Sequence, residues 1–280
     1  MHTPVLLKQA LENLQIQPGG KYIDATLGEG GHLREIEKKG GIVLGIDWDS
    51  AQVERLSSQI DSKNIKLVQG NYGNIESIAK ENGFEQVDGV LFDLGLSMEQ
   101  LNSGKKGFSY KKEDELLDMR IGDDTDETAA DLLNTLTVDS LYDVFAKYSE
   151  DLDSKIIAET VVEMRKKRRF ERVGDLVRAV RVAQKNCQQK HQHTVNSTMA
   201  RIFQALRVQL NNEFENIRNG LEGALRITKK NGRVEVITFH SLEDRVVKQF
   251  VRSKNLVSEQ IKGDKEISFE RSATLRIITV

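Results

Sequence analysis

The sequence has little cysteine, little proline and no long apolar run. Its single cysteine, Cys187, excludes an intramolecular disulfide and fits a reducing compartment. We interpret Cys187 as an incidental thiol rather than a nucleophile, because it lies in a polar segment with a helical pattern. No apolar run approaches the roughly 18 residues that span a membrane, and the polar residues within 1–11 argue against a signal peptide. We therefore expect a cytoplasmic protein with no membrane partner.

Only two prolines occur, Pro4 and Pro18, and no stretch rich in Pro, Ser and Gly divides the chain. A second domain must therefore be inserted through short, ordered connections. The 41 basic and 43 acidic residues leave a formal net charge of −2. This balance excludes a protein that coats itself in nucleic acid through its overall charge, but it is compatible with a local basic surface.

Strands and helices alternate in the first third of the chain. Short apolar runs that end at Asp24, Asp47, Val68 and Asp93 predict four strands, and amphipathic patterns between them predict helices. Such alternation is typical of a parallel, doubly wound α/β sheet. A further amphipathic helix is predicted over residues 4–14, before the first strand.

The alternation stops after the fourth predicted strand, and from residue 102 to about 197 the pattern is helical. After this block the sequence predicts a long helix, a strand and an edge hairpin, over residues 199–225, 233–240, and 256–261 with 273–279. Strands that resume after a helical block indicate an insertion rather than two domains in series. We therefore predict a Rossmann-like α/β domain formed by 1–101 and 198–280, with an inserted all-helical domain over 102–197.

A glycine-rich turn follows the first predicted strand, in Y-I-D-A-T-L-G-E-G-G-H over residues 22–32. A strand that leads through glycines into a helix exposes backbone N–H groups to a ligand, although glycine-rich turns also occur where nothing binds. Carboxylates stand at the ends of three predicted strands, at Asp24, Asp47 and Asp93. Ligands of such sheets bind beyond the carboxyl ends of the strands, so we expect these groups to converge on one crevice.

Asp47 lies nineteen positions after Gly28, the spacing at which an acidic residue reaches the hydroxyls of a ribose. Capping of the next helix is the alternative role for Asp47. Two nucleoside cofactors fit this pattern, a nicotinamide dinucleotide and S-adenosyl-L-methionine. Glu29 in the loop would place negative charge beside a diphosphate, whereas it is compatible with a positively charged sulfur. The sequence therefore favours the methyl donor.

Eight motifs occur along the chain. They are H-T-P-V-L-L at 2–7, D-A-T-L-G-E-G-G-H at 24–32, D-L-G-L-S-M-E-Q-L at 93–101, K-G-F-S-Y at 106–110, L-D-M-R at 117–120, R-I-F-Q-A-L-R at 201–207, F-H-S-L-E-D-R at 239–245 and R-S-A-T-L-R at 271–276. In these motifs and their order the sequence resembles the RsmH (MraW) family. Its members are S-adenosyl-L-methionine-dependent enzymes that methylate a cytosine N4 in small-subunit ribosomal RNA.

The resemblance implies the residues of the methyl-donor site. They are Gly30, Gly31 and His32 in the glycine-rich turn, Asp47 at the ribose, Tyr72 beside the adenine, and Asp93 and Gln100. It also implies a partner, 16S ribosomal RNA or the small ribosomal subunit, and a target, the N4 amine of a specific cytidine in the decoding region. A homodimer is compatible with the resemblance.

Asp93 is the candidate catalytic residue. The exocyclic amine of cytosine is a poor nucleophile because its lone pair is delocalised into the ring, and an acceptor for its N–H would localise that pair and take up the proton. Asp93, with the backbone carbonyls of Leu94 and Gly95, stands where amino-methyltransferases keep such acceptors. A role in cofactor binding alone is the alternative. Phe108 or Phe239 could stack on a flipped base, with a core position as the alternative for either.

Two further features of the sequence bear on the crevice and on metals. His240 and Arg245 are candidates for the lining of the crevice, whereas Ser241 is predicted to cap the helix that follows. No metal site is predicted, because His191 and His193 lie in a polar segment without cysteine or carboxylate partners.

Positive charge is concentrated in the predicted helical domain. A basic run covers Arg165–Arg169, and further basic residues follow at positions 172, 178, 181 and 185. Such runs are usually solvated faces, but beside a methyl-donor crevice this one predicts a surface that contacts phosphates. A second basic loop is predicted around K-G-F-S-Y, at Lys105, Lys106, Lys111 and Lys112.

Three alternatives remain open. They are a non-catalytic, RNA-binding ribosome-assembly factor with a methyltransferase fold, a nicotinamide-dependent oxidoreductase, and an amino-methyltransferase that acts on another nucleic acid. The intact donor-site residues disfavour the first and Glu29 disfavours the second. The third differs only in its substrate.

Overall fold

A computed structural model describes residues 4–103, 105–186, 194–267 and 270–280. Cys187, His191 and His193 lie outside the described residues. The chain divides into two compact units, one formed by Met1–Ser97 with Phe214–Val280 and the other by Met98–Glu213.

The first unit is built on one sheet of seven strands. They are β1 (Lys21–Asp24), β2 (Ile42–Asp47), β3 (Ile65–Gln69), β4 (Val87–Asp93), β5 (Thr228–Thr238), β6 (Ser258–Lys262) and β7 (Thr274–Thr279). Their order in the sheet is β3-β2-β1-β4-β5-β7-β6. β1 to β5 are parallel, and β7 runs antiparallel to both β5 and β6. The predicted Rossmann-like, mostly parallel sheet and its edge hairpin are confirmed.

Twelve helices lie in the described residues. They are α1 (Leu7–Asn13), α2 (Gly31–Lys38), α3 (Ser50–Ser57), α4 (Ile75–Glu81), α5 (Met98–Ser103), α6 (Ala129–Thr135), α7 (Val138–Ser149), α8 (Ser154–Arg165), α9 (Val173–Asn186), α10 (Val195–Leu210), α11 (Glu213–Ile227) and α12 (Ser241–Ser253). None of these helices is long and apolar enough to cross a membrane.

Both faces of the sheet are covered by helices. One apolar cluster packs α1, α2 and α3 against strand residues that include Val43 and Leu91. The other packs α4, α11 and α12 against residues that include Leu44 and Val90. Neighbours along a strand point to opposite faces, so the continuous apolar runs of β2 and β4 supply both layers. The core therefore lies on both sides of the central strands and leaves their carboxyl ends for polar side chains.

The second unit consists of α5 to α10, with buried apolar residues that include Leu133, Phe145, Val161 and Phe203. Its described residues contain no strand, only an isolated bridge between Leu116 and Arg172. Its limits at 98 and 213 differ from the predicted insertion of 102–197. The reason is α10, which packs against α7 and α9 of this unit, although its amphipathic pattern continues into α11 of the first unit.

The single long helix predicted over residues 199–225 is wrong, because α10 ends at Leu210 and α11 begins at Glu213. Asn212 between them has a φ of 49°, in the left-handed region that interrupts a right-handed helix. Asn211 fixes the break: its amide oxygen accepts the N–H of Ile121 and its Nδ2 donates to the Met119 carbonyl, each at 2.9 Å. Two polar residues at this point do not disturb the apolar periodicity, so the pattern gives no sign of the break.

Candidate functional site

Three carboxylates lie along one edge of the sheet. Asp24, Asp47 and Asp93 end β1, β2 and β4, which are neighbouring parallel strands. Asp24 pairs in register with Gly45 of β2 and Leu91 of β4, so its neighbours' terminal aspartates each lie two residues farther along. Asp24 is therefore set back between Asp47 and Asp93, and it is only 1% exposed.

The turn between β1 and α2 requires glycine. Gly30 precedes α2 with a φ of 73°, a conformation that glycine adopts without the penalty of a Cβ. At Gly31 an added Cβ would collide with the ring of Pro4. The N–H of Gly28 donates to Asp47 Oδ2 at 2.9 Å, which fastens the turn to the end of β2.

Asp47 holds the glycine-rich turn and does not cap α3. Its Oδ1 accepts the N–H of Asp49 at 2.9 Å. Asp49 is the residue that caps α3, because it accepts the N–H of Ala51 at 3.2 Å. Burial raises the pKa of Asp47 to about 6, although the hydrogen bonds from Asp49 and Gly28 act to lower it.

His32 is buried in the first turn of α2, beside two of the carboxylates. Its Nε2 lies 3.6 Å from Asp93 Oδ2. Burial alone would lower the pKa of His32, but Asp93 and Asp24 outweigh it and raise the pKa. Burial raises the pKa of Asp24 to about 7, with the charge of His32 opposing this shift and the charge of Asp93 adding to it. The titrations of Asp24 and His32 are therefore coupled through their charges.

Thr26 connects Asp24 with Asp93. Its N–H donates to Asp24 Oδ1 at 3.3 Å, and its Oγ1 accepts the N–H of Asp93 at 2.6 Å. Asp93 Oδ1 is buried and has no hydrogen-bond partner among the described residues. Unsatisfied polar atoms of this kind mark a place for a ligand. Thr26 is not among the site residues that the sequence predicts, and Asp24 is predicted at the crevice without a defined role, although both stand in the D-A-T that opens the motif.

Tyr72 lies in a short 3-10 turn, Tyr72–Asn74, after β3. Its ring meets that of Phe92, the residue before Asp93, edge-on with 5.8 Å between the ring centroids. A Cβ added at Gly220 of α11 would stand 3.0 Å from Tyr72 Cδ2, so close packing fixes the ring. Tyr72 therefore lies on the same edge of the sheet as the carboxylates.

The predicted donor-site residues are divided between the two units. The first unit places six of them at one edge of its sheet, namely Gly30, Gly31, His32, Asp47, Tyr72 and Asp93. Gln100 belongs to the second unit, where it is a buried residue of α5.

Phe239 and His240 follow β5, the parallel strand next to β4. His240 is the N-cap of α12: its Nδ1 accepts the N–H of Glu243 at 3.3 Å, and Glu243 Oε2 accepts the N–H groups of Phe239 at 2.8 Å and His240 at 3.3 Å. The predicted cap at Ser241 is therefore wrong by one residue. A ring carbon of Phe239 lies 3.4 Å from where a Cβ on Gly95 would stand, whereas Phe108 is buried in the second unit.

The crevice fits a cationic nucleoside better than a diphosphate. The carboxylates at the ends of β1, β2 and β4 would repel a diphosphate and attract a positively charged sulfur. The unpaired Asp93 Oδ1 supplies an acceptor, and the glycine-rich turn lets the backbone approach a ligand closely. The described residues include no cluster of three or more His, Cys, Asp or Glu side chains that could hold a metal ion.

Comparison with known proteins identifies the family. The model of the MraW methylase family matches residues 1–280. A protein from Dictyoglomus thermophilum named ribosomal RNA small subunit methyltransferase H is 38% identical over 99% of this chain and 96% of its own length. A protein of the same name from Carboxydothermus hydrogenoformans is 39% identical over 90% of this chain and 80% of its own length. A solved rRNA methylase from Streptococcus thermophilus aligns over 100% of this chain and 98% of its own at 9% identity and a TM-score of 0.47, too distant a likeness to argue from. The chain belongs to the MraW methylase family and is an S-adenosyl-L-methionine-dependent methyltransferase.

Proposed function

We propose that the chain transfers a methyl group from S-adenosyl-L-methionine to the exocyclic N4 amine of a cytidine in small-subunit ribosomal RNA. The observation that carries this proposal is the unpaired Asp93 Oδ1 at the end of β4, beside a glycine-rich turn that suits the donor. Relatives named ribosomal RNA small subunit methyltransferase H, at 38% and 39% identity, support the choice of RNA. The target is a specific cytidine in the decoding region of 16S RNA. An enzyme that acts on ribosomal RNA must meet the ribosome, and we therefore propose that it acts in the cytoplasm.

We assign the donor to residues of the first unit. When bound, S-adenosyl-L-methionine supplies a methyl group on a positively charged sulfur. We assign the ribose hydroxyls to Asp47 and the adenine to Tyr72, whose ring is fixed by Phe92. The backbone of Gly30–His32 lies open to the donor because the two glycines carry no side chains.

Asp93 acts on the acceptor base. Its Oδ1 accepts an N–H of the cytosine amine, localises the nitrogen lone pair and takes up the proton as the new carbon–nitrogen bond forms. Phe239, half-buried beside Gly95, is the aromatic ring placed to stack on the flipped base. Phe108 is buried and has a core role in the second unit.

Basic residues of the second unit divide into two groups. Most of the predicted basic surface is already engaged within the chain. Arg165 donates to the carbonyls of Leu133 and Leu136 at 2.7 Å, and so satisfies the end of α6. Other pairs are Lys166 with Glu163 at 2.6 Å, Arg169 with Asp131 at 3.8 Å, Arg181 with Glu113 at 3.1 Å, and Arg172 with the carbonyl of Asp114.

Four cations of this surface are exposed and form no ion pair among the described residues: Lys167, Arg168, Arg178 and Lys185. We call them the free basic group. Lys185 and Arg178 are seven residues apart on α9 and therefore share one face of the helix. Free cations can neutralise phosphates without first breaking an internal ion pair. The free basic group is therefore our candidate for the contact with the RNA backbone.

A substrate comparison tests the proposal. Labelled S-adenosyl-L-methionine is supplied with small ribosomal subunits, with 16S RNA or with single-stranded DNA of the same base composition, and methyl incorporation is counted. We expect incorporation into small-subunit RNA and none into DNA. An assembly factor would bind the RNA without incorporation, and an enzyme for DNA would show the opposite preference; either result would contradict the proposal.

A further inference from the structure

The backbone N–H of Asp93 is hydrogen-bonded to a side chain and not to the main chain of the neighbouring strand. The ladder between β1 and β4 continues to the N–H of Ala25, which donates to the Leu91 carbonyl at 2.8 Å. After Ala25 the chain enters the glycine-rich turn, and no main-chain carbonyl of β1 accepts the N–H of Asp93. The hydroxyl of Thr26 replaces such a carbonyl and accepts the N–H of Asp93 at 2.6 Å. On the other side β5 holds the next residue, since the N–H of Leu94 donates to the Ile237 carbonyl at 3.0 Å.

The two carboxylate oxygens of Asp93 have different surroundings. Oδ2 lies 3.6 Å from His32 Nε2, close enough for charge attraction. Oδ1 is buried and has no hydrogen-bond partner in the described residues. One oxygen is therefore committed to the protein and the other is left for a ligand.

Asp24 interacts with both residues that contact Asp93, namely Thr26 and His32. It is almost fully buried and accepts the N–H of Thr26 at 3.3 Å. Its charge also acts on His32. The charged groups that act on this cluster are Asp24 on β1, Asp47 at the end of β2, Asp93 on β4 and His32 on α2, so His32 is the one basic side chain among these carboxyl groups.

We infer that Thr26, His32 and Asp24 are positioning residues that hold Asp93 with Oδ1 turned to the substrate amine. Thr26 fixes the backbone of Asp93, His32 fixes Oδ2, and Asp24 holds Thr26 and His32. The identity of the amine rests on the proposed function. As the nitrogen lone pair bonds to the methyl carbon, the carbon–sulfur bond of the donor breaks, its electron pair stays on sulfur, and the donor leaves as a neutral thioether. The nitrogen loses one proton to Asp93 Oδ1, the electron pair of that N–H bond stays on nitrogen, and Asp93 then releases the proton to water.

A pair of Thr26 variants tests the backbone contact. Thr26→Val keeps the shape of the side chain and removes the acceptor, whereas Thr26→Ser keeps the acceptor. Misplacement of Asp93 should lower the single-turnover rate of Thr26→Val by about 10- to 100-fold. We expect the donor dissociation constant, measured by calorimetry, to change much less, and Thr26→Ser to stay near the wild type. Equal rates in Thr26→Val and the wild type would overturn this part of the inference.

The pH dependence of the rate tests the His32 contact. Asp93 must be ionised to accept a proton, and a nearby cation favours its ionised form. Without that cation, in His32→Gln, the acid limb of the single-turnover rate should move to higher pH by about one unit. If His32→Gln lowers the rate but leaves the acid limb at the wild-type pH, His32 has only a structural role and the inference is overturned.

Titration of His32 by NMR in the resting protein separates this inference from the proposed function, because it needs no turnover. We expect the wild-type midpoint to lie above the ordinary value of about 6.5 and to fall in Asp93→Asn and in Asp24→Asn. A wild-type midpoint at or below the ordinary value, unchanged by Asp93→Asn, would overturn the inference even if the enzyme is active. An inactive wild type with the expected titration would instead count against the proposed function alone.

Discussion

Three aspartates at three strand ends have three different surroundings. Asp24 is enclosed, and burial raises its pKa to about 7. Asp47 is committed through both oxygens to backbone N–H groups of the loops. Asp93 alone keeps a buried oxygen without a partner. The three aspartates therefore have different roles. Asp24 positions its neighbours, Asp47 binds the backbone of the glycine-rich turn, and Asp93 is free to accept a proton.

Replacement of Asp93 by asparagine is the most direct change at this scale. The amide keeps the size of the side chain but cannot accept the amine proton as a carboxylate does. We expect the single-turnover rate to fall by about 10²- to 10⁴-fold, with a smaller change in donor affinity. Rapid-quench kinetics and calorimetry measure the two quantities. An enzyme with Asp93→Asn that keeps the wild-type rate would remove Asp93 from the chemistry.

A matched pair of glycines separates backbone strain from ligand binding. Gly30 and Gly19 have φ values of 73° and 76°, so the left-handed backbone alone should cost an alanine at either position about 1–2 kcal/mol of unfolding free energy. At Gly30 the added Cβ would also lie 3.1 Å from Leu56 Cδ2. Only Gly30 lies in the donor turn, and nothing lies within 4 Å of a Cβ on Gly19. We expect Gly30→Ala to weaken donor binding by at least about tenfold and Gly19→Ala to leave it unchanged. Denaturation and calorimetry on both variants check this, and equal donor affinity in the two would contradict the assignment of the turn.

The sequence predicts that these residues stand at strand ends and in a turn, but it does not predict their contacts. Asp47, Asp93 and the glycines stand out because they end apolar runs or interrupt them. The role of Thr26 depends on β1 and β4 being neighbours, which no local pattern reveals. The cap of α12 is missed because histidine is not among the usual N-cap residues, so Ser241 is the natural choice although His240 supplies the acceptor.

At the scale of elements, β5 contains an acidic residue in an unusual place, the core of the sheet. Glu235 is fully buried between Leu91 of β4 and Ile277 of β7, and neither of its carboxylate oxygens has a hydrogen-bond partner in the described part of the chain. Burial raises the pKa of Glu235 well above its usual range, against the opposing charge of Arg233. The carboxyl is therefore protonated in the folded protein under conditions where the unfolded chain ionises it.

This difference makes stability depend on pH. Below the ordinary carboxyl pKa both states are protonated, and the folded state carries no penalty. As pH rises, the unfolded state loses its proton first, so the unfolding free energy falls by about 1.4 kcal/mol per pH unit until the folded pKa is reached. Glu235→Gln is neutral at every pH, and we expect its stability advantage over the wild type to grow by at least about 1.4 kcal/mol between pH 5 and pH 8.

Chemical denaturation at the two pH values measures this advantage. Glu259→Gln on β6 is the control, because that side chain is exposed and its removal should change stability equally at both pH values. A constant difference between Glu235→Gln and the wild type would show that Glu235 is ionised in the folded protein.

Strand and helix positions follow closely from the sequence, whereas one junction does not. The apolar runs predict β1 to β5 because parallel strands are buried on both faces. The separation of α10 from α11 depends on hydrogen bonds between Asn211 and the chain near Ile121, ninety residues away in sequence. Local periodicity carries no information about such a contact.

For the whole molecule, the junction between α10 and α11 sets the carboxyl-terminal limit of the helical unit. Helical character over 102–197 predicts an insertion, but only packing assigns α10 to it. The sequence also predicts where positive charge is concentrated but not which of these charges are paired. The basic run predicts the region of the RNA surface, while the ion pairs that engage part of that region are visible only in the fold.

Two triple variants test the free basic group at equal change of charge. One replaces Lys167, Arg178 and Lys185 by glutamine. The other replaces the internally paired Lys166, Arg169 and Arg181. We expect the first to weaken RNA binding by at least about tenfold and to reduce the slope of log K against log salt by about 2, since each lost phosphate contact removes about 0.7. The second should have a clearly smaller effect. Equal losses in filter-binding titrations would show that overall charge, and not this group, binds the RNA.

The most direct test of the methyltransferase assignment is the identity of the modified nucleoside. The purified enzyme is incubated with small-subunit ribosomal RNA and a donor whose methyl group carries deuterium, and the RNA is digested to nucleosides for mass spectrometry. The predicted result is N4-methylcytidine that carries the intact labelled methyl group, at one cytidine of the 16S RNA, and its loss in Asp93→Asn. Labelled methyl on another base or another atom, or no labelled nucleoside from an enzyme that binds the donor, would contradict it.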